Sequence, residues 1–210
     1  MSEYPLPPST SLEIGRMLRA DNTRCVVGCR AGQANLPALG SLVRLPVEDT
    51  YQVYGLVANV QIFDDGLTRQ VVVSDTIDPS VILDNQYNRN LPLEIGVLFV
   101  GYERSGALSH LLPPRPPLVL HVLYTCTPEE VRRFTAHGRF GYFRHILRAT
   151  DQPIDELLAA HLQQAHACHR QAGNTAWARE AARELITLLR DDYATLTNVL
   201  KTLADTQLEF

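Results

Sequence analysis

Tyr124-Thr125-Cys126-Thr127-Pro128-Glu129-Glu130 is the stretch in which the chain changes period, and its reading decides the fold. Before it, apolar residues alternate or run in strand-length blocks; after it, they recur at three- and four-residue steps. Thr127 is a helix N-cap candidate, and Pro128 takes the first helical position, where a missing N–H costs nothing. Glu130, three residues after the cap, completes a capping box. Strands are therefore expected before residue 128 and helices from it onward.

Upstream, residues 14–20 run into Asp21-Asn22-Thr23, whose side chains favour a turn, and then into the β-branched run Cys25-Val26-Val27, which reads as a first hairpin. Residues 32–37 read as loop, 40–45 as a short strand and 46–50 as an acidic turn. A long strand follows over 51–63, with a phase change near Ala58 and Asn59 that suggests a bulge. Asp64-Asp65-Gly66 is the strongest hairpin signal in the chain, with 68–74 as the returning strand. Residues 75–93 are irregular: Asp78 before Pro79 is placed to cap a short helix, and Asn85, Asn88 and Asn90 favour loop. Two further apolar strands are expected at 94–102 and 118–124, the second approached through the rigid Pro113-Pro114-Arg115-Pro116-Pro117.

Downstream, Phe140, Phe143 and Leu147 fall at helical spacing. Ile154, Leu157, Leu158, His161, Leu162, Ala165 and Cys168 then form a broad apolar stripe, and Gly173-Asn174 closes that helix. Ala182, Leu185, Leu189, Asp192, Leu196, Val199 and Leu203 make a heptad seam broken only by Asp192, on one long helix or on two joined at Asp191-Asp192. The stripe from Ile154 to Cys168 is the natural cover for this seam, and Asp192 is expected near solvent. The expected fold is thus α+β. An N-terminal six-stranded antiparallel-type β-barrel spans residues 12–124, and a C-terminal helical bundle spans 127–206.

With 45% hydrophobic residues, the 210-residue chain can fill an ordinary core. Residues 1–126 carry 9 basic and 12 acidic side chains and residues 127–210 carry 10 and 11, so neither half is a bulk polyanion binder. Lys201 is the one lysine, which argues against Schiff-base or phosphate-cradling lysine chemistry. Residues 1–10 are polar and proline-rich, and the longest apolar runs are strand-sized, so neither a signal peptide nor a membrane anchor is expected. Cys25, Cys29, Cys126 and Cys168 form no C-x-x-C pair and suit buried free thiols in a reducing, cytoplasmic setting.

Three short patterns in the N-terminal half carry a resemblance. They are Ile14-Gly15-Arg16 in the first strand, Gly40-Ser41-Leu42-Val43 opening another, and Val53-Tyr54-Gly55-Leu56-Val57 in the long strand. Over residues 12–124 the sequence resembles the HAS barrel that precedes the motor in HerA-type ATPases and in rotary ATP synthase subunits. The resemblance implies a docking or assembly role, because in those families the ATPase chemistry lies downstream of the barrel. Here no Gly-x-x-x-x-Gly-Lys-Ser/Thr cradle follows: Lys201-Thr202 is preceded by Thr197-Asn198-Val199-Leu200, without glycine.

Other chemistry is thin. His161, His166, Cys168 and His169 form the one metal-like cluster, with His166 and His169 about 60° apart on a helix. Core or surface histidines are the expected reading, and an unrecognised metal-dependent enzyme is an alternative. Ser105, Ser109 and His110 lie near one another without an acidic orienter or a nucleophile elbow, and Asp64-Asp65 suits a turn better than an acid–base pair. No enzyme activity, cofactor or metal is expected. The most distinctive segment is 132–148, in which Arg132, Arg133, Arg139, Arg144 and Arg148 interleave with aromatics and no acid occurs. These five arginines are the candidate partner-binding residues. A nucleic-acid partner is the less favoured use, because Phe140, Phe143 and Leu147 are expected to face inward with Arg144 and Arg148 outward. Pro113 to Pro117 fits a Pro-x-x-Pro ligand, but a rigid lead into a strand is the expected use. The function expected is an interaction or assembly module, self-associating or bound to a protein such as a HerA-like ATPase.

Overall fold

The computed structural model of the protein describes residues 7–30, 36–63, 78, 80, 92–206 and 208. The strands are β1 (Glu13–Ala20), β2 (Arg24–Arg30), β3 (Leu42–Glu48), β4 (Tyr51–Ile62), β5 (Pro92–Arg104), β6 (Ala107–Ser109) and β7 (Val122–Thr125). Every pairing is antiparallel, and the order β1-β7-β3-β4-β5-β2 returns to β1, closing a six-stranded barrel. Closure leaves no open sheet edge around the ring. β6 lies outside the ring as a short hairpin return from β5.

The long strand shows why apolar and polar residues alternate so poorly along it. Val53 and Val57 point into the barrel, while Tyr54, Leu56 and Ala58 point outward against the helices. β5 repeats the arrangement, with Ile95, Val97 and Phe99 inside and Leu98 and Val100 outside. Strands covered on both faces read as nearly continuous apolar runs. The bulge expected near Ala58 and Asn59 is present, between Val57 and Asn59, and a second register shift falls between Tyr54 and Gly55. Gly55 lies where the strands crowd: a Cβ there would stand 2.3 Å from Val97 Cγ1.

Asp21 Oδ1 accepts from the backbone N–H of Thr23 (2.6 Å) and of Arg24 (3.0 Å), fixing the expected first turn. The turn expected at 46–50 narrows to Asp49-Thr50, because a bulge between Pro46 and Glu48 lets β3 continue to Glu48 beside β4. The strand expected at 118–124 is also shorter. β7 begins at Val122, and Leu118, Val119 and Leu120 form a turn instead, with Leu120 at φ 68°. Asp78 accepts from the Ser80 N–H at 2.8 Å, as an N-cap does. The Asp64-Asp65-Gly66 turn, the strand at 68–74 and the asparagines 85, 88 and 90 lie outside the described residues.

The helices are α1 (Pro128–Ala136), α2 (Phe143–Leu147), α3 (Ile154–Gln171), α4 (Trp177–Leu188) and α5 (Tyr193–Ala204). Both halves of the α1 capping box form: Glu130 N–H donates to Thr127 Oγ1 and Thr127 N–H donates to Glu130 Oε2. The helical spacing of Phe140, Phe143 and Leu147 does not reflect one helix. His137–Phe140 is a 3₁₀ turn in which Gly138, Arg139 and Phe140 all take left-handed φ values of 58°, 48° and 57°. That reversal lays Phe140 on Phe143 and Trp177, with ring centroids 5.3 and 5.6 Å away. The seam expected over 182–203 divides between α4 and α5, and Asp192 is the N-cap between them, accepting from Thr195 N–H at 3.1 Å. Leu185, Leu189, Val199 and Leu203 are buried with Leu157, Leu158, Leu162 and Ala165 of α3, in one core that includes the outer wall of the barrel.

Candidate functional site

The junction between barrel and helices gathers most of the buried polar side chains. Gly40, at φ 77°, brings the chain so close to α3 that a Cβ would stand 2.5 Å from His161 N. In return its carbonyl accepts from His161 Nδ1 at 3.0 Å, and the carbonyl of Leu39 accepts from Gln164 Nε2 at 2.7 Å. Ser41 Oγ donates to Gln164 Oε1 at 2.8 Å. The Gly40-Ser41 pair thus serves as the seat of α3 as well as the lead into β3. Beside it a cleft of about 190 Å³ opens between Pro8, Pro37, Cys126 and Ala165.

On the neighbouring face α1 is held by charge. Arg133 donates to both oxygens of Glu103 on β5, at 2.7 and 2.6 Å, and Glu103 also accepts from Gln52 Nε2 (2.7 Å) and Tyr54 Oη (3.0 Å). The Arg133 guanidinium holds the Glu103 carboxyl at about 2, against the opposing effect of burial. Arg44 of β3 forms a second ion pair, with Glu130 of α1 at 2.9 Å, while lying over the Tyr124 ring. Sequence reasoning did not find Glu103, Gln52 or Tyr54, since each is one polar or aromatic residue in an apolar strand and gives no pattern.

This pair yields a prediction. Arg133→Met should lower stability by about 1–2 kcal/mol, less than for a fully buried pair because the Arg133 side chain is 43% exposed. Glu103→Gln with Arg133→Met should recover part of the loss, since no buried charge is then left unpaired. The depressed carboxyl contributes stability that is complete above pH 4.5 and is lost as pH falls toward about 2. Urea titrations from pH 2 to 7 should show that acid-side slope in the wild type and a flatter one in Arg133→Met.

The five candidate arginines differ in their surroundings. Arg133 is spent on Glu103, and Arg144, expected to face outward, turns in to donate to the carbonyl of His110. Arg132 is half-buried, near His169 and Cys168. Arg139 and Arg148 are exposed and make no hydrogen bond or ion pair among the described residues. Phe134, Tyr142 and Phe143 are fully buried, so the aromatics of the segment belong to the core.

His161, His166, Cys168 and His169 are all buried, but they do not converge. His161 bonds Tyr142 Oη (3.0 Å) as well as Gly40, and His169 bonds Thr135 Oγ1 (2.8 Å) and stacks on Trp177. Among the described residues, no group of three or more His, Cys, Asp or Glu side chains is placed to hold a metal ion. Ser109 Oγ accepts from Leu111 N–H, and His110 Nε2 bonds the carbonyl of Phe134. Cys25, Cys126 and Cys168 are buried, and burial pushes the Cys25 thiol up to about 12.

The surface feature that stands apart is the turn before β7. Leu118, Val119 and Leu120 are 72%, 62% and 64% exposed, directly after the proline run. Their backbone is pinned to β1: Leu120 N–H donates to the Met17 carbonyl at 2.8 Å, and Met17 N–H donates to that of His121 at 2.9 Å. No described helix is long and apolar enough to cross a membrane.

The fold and its junction define an α+β protein, a closed barrel with helices seated on its outer wall. Compared with protein-family models and with curated proteins, the chain matches none.

Proposed function

We propose that the protein is a non-catalytic assembly module whose partner is another protein, and that its barrel docks in a HerA-type ATPase complex. The observation that supports this reading is the pinned turn of Leu118, Val119 and Leu120, three adjacent apolar side chains held in solvent on a fixed backbone. Contiguous apolar surface of this kind marks contact sites, and a preset backbone reduces the ordering cost of binding. The ATPase partner rests on the resemblance of the glycine-bearing strand patterns alone. A cytoplasmic location fits four cysteines that form no disulfide.

The test uses purified protein, a purified HerA-type hexamer and sedimentation at micromolar concentrations. Wild type should co-sediment with the hexamer, and a Leu118→Ser, Val119→Ser, Leu120→Ser variant with unchanged circular dichroism should bind at least about tenfold more weakly. No complex with wild type sinks the ATPase partner, and equal binding by the variant sinks the turn as the contact. Nucleic acid is the second reading, favoured only by the exposed Arg139 and Arg148. It calls for salt-dependent retention that Arg139→Gln with Arg148→Gln removes.

A further inference from the structure

Four buried histidines stitch the helices together and to the barrel, and their partners fix their protons. The Gly40 carbonyl only accepts, so His161 Nδ1 carries hydrogen and its Nε2 accepts from Tyr142 Oη. His110, in the loop after β6, donates from Nε2 to the Phe134 carbonyl of α1 at 3.2 Å. The carbonyl of His110 in turn accepts from His145 Nε2 of α2 at 2.7 Å. Thr135 Oγ1 donates to the Val131 carbonyl and therefore accepts from His169 Nε2. Each ring is neutral in this scheme. The second nitrogen of His110 has no partner among the described residues, and it faces the backbone at Gly138 and Gly141.

The titratable groups that act on these rings are all basic. His137, Arg144 and His145 face His110; Arg144 and Arg148 face His145; Arg132 and His166 face His169; no charged group acts on His161. The acid-free arginine segment thus flanks three of the four histidines and opposes a positive charge on each. Burial, the largest cause, holds His110, His161 and His169 down to about 4 and lowers His145 as well; it works against the backbone hydrogen bonds of His110, His145 and His161, and basic neighbours add to it at His110, His145 and His169. A ring depressed in the fold stabilises it fully above the unfolded value of 6.5, and that contribution is lost as pH falls toward 4. The core inside the barrel is lined by the apolar Ile14, Met17, Val53, Ile95 and Phe99 among others.

From this arrangement we infer that the junction is an acid-released latch, in which protonation of His110 and His161, together with His145 and His169, frees the helices from the outer wall of the barrel while the barrel stays closed. The exposed wall then presents Tyr54, Leu56, Leu98 and Val100. The latch needs no partner, so its failure and that of the assembly reading are separable.

The experiment is an acid titration of the full chain followed by amide NMR, with Trp177, the single tryptophan, as a fluorescent reporter of the helices. Between about pH 6 and 4, α3 and α4 signals should collapse with uptake of more than one proton while β4 and β5 signals persist. Simultaneous loss of both sets overturns the latch. His110→Gln with His161→Asn keeps a donor at each bonded position and removes both titrations. Its midpoint should fall by about one pH unit, with a slope smaller by up to two protons; an unchanged midpoint and slope overturn the latch. If that variant does not fold at neutral pH, the wild-type rings decide. Long-range ¹H–¹⁵N spectra should give Nδ1–H for His161 and Nε2–H for His110, titrating only as the helices release. Rings that titrate near pH 6.5 with the helices in place overturn it.

Discussion

Gly40→Ala should destabilise the protein by about 3 kcal/mol or more, of which about 1–2 is the left-handed backbone and the rest the collision with α3. The new Cβ would lie 2.5 Å from a backbone nitrogen and 2.9 Å from the carbonyl carbon of Ala160, neither of which moves without shifting the whole helix. Gly106 supplies the control. Its φ is 80°, close to the 77° of Gly40, but nothing lies within 4 Å of the position its Cβ would take. Gly106→Ala should therefore cost only the backbone strain, about 1–2 kcal/mol. Urea unfolding of the two variants separates conformation from contact, and equal losses would mean that Gly40 does not seat α3.

Leu189→Asp should be strongly damaging, costing about 4 kcal/mol or more through a vacated apolar site and an unpaired buried carboxylate. Leu189 is 6% exposed in the same core as Leu185, Val199 and Leu203, whereas its neighbour Leu188 is 44% exposed. Leu188→Asp should accordingly change stability by less than about 0.5 kcal/mol. Helicity and molar mass, measured together, identify what Leu189 touches. The chain's own core predicts lost helicity with unchanged mass, whereas lost mass with retained helicity would make Leu189 a subunit contact.

The parts of the fold that could be read in the sequence were those decided by local chemistry. Thr127, Pro128 and Glu130 make the expected cap because a capping box is complete within four residues. The turn at Asp21 and the bulge after Val57 were legible for similar reasons. Asp192 gave a mixed signal: as a break in a heptad it located the junction of two helices, and its capping role depends on Thr195 three residues on. The 118–124 strand was misread because Leu118, Val119 and Leu120 have strand-like composition, while hydrogen bonds to Met17, about a hundred positions away, hold them in a turn. The same limit hid the junction. Glu103 meets Arg133, and His161 meets Gly40, through barrel closure and helix docking, which no spacing along the chain encodes. Of the candidate arginines, residue type alone did not separate Arg133 and Arg144, bonded to Glu103 and to the His110 carbonyl, from Arg139 and Arg148, unbonded among the described residues.

Strand β4 is a wall shared by two rooms, which has a consequence for how the sequence is free to drift. Val53 faces the barrel interior with Ile95 and Phe99, while Tyr54, its neighbour, faces the helices with Phe134, 4.8 Å away between ring centroids. A change of size at 53 is compensated inside the barrel and a change at 54 on helix α1, so adjacent letters of one strand answer to different distant parts of the chain. Among relatives, position 53 should co-vary with 95 and 99, and position 54 with 134, with little exchange between the two sets. Odd and even positions of the strand would then carry two separate evolutionary records along a single backbone.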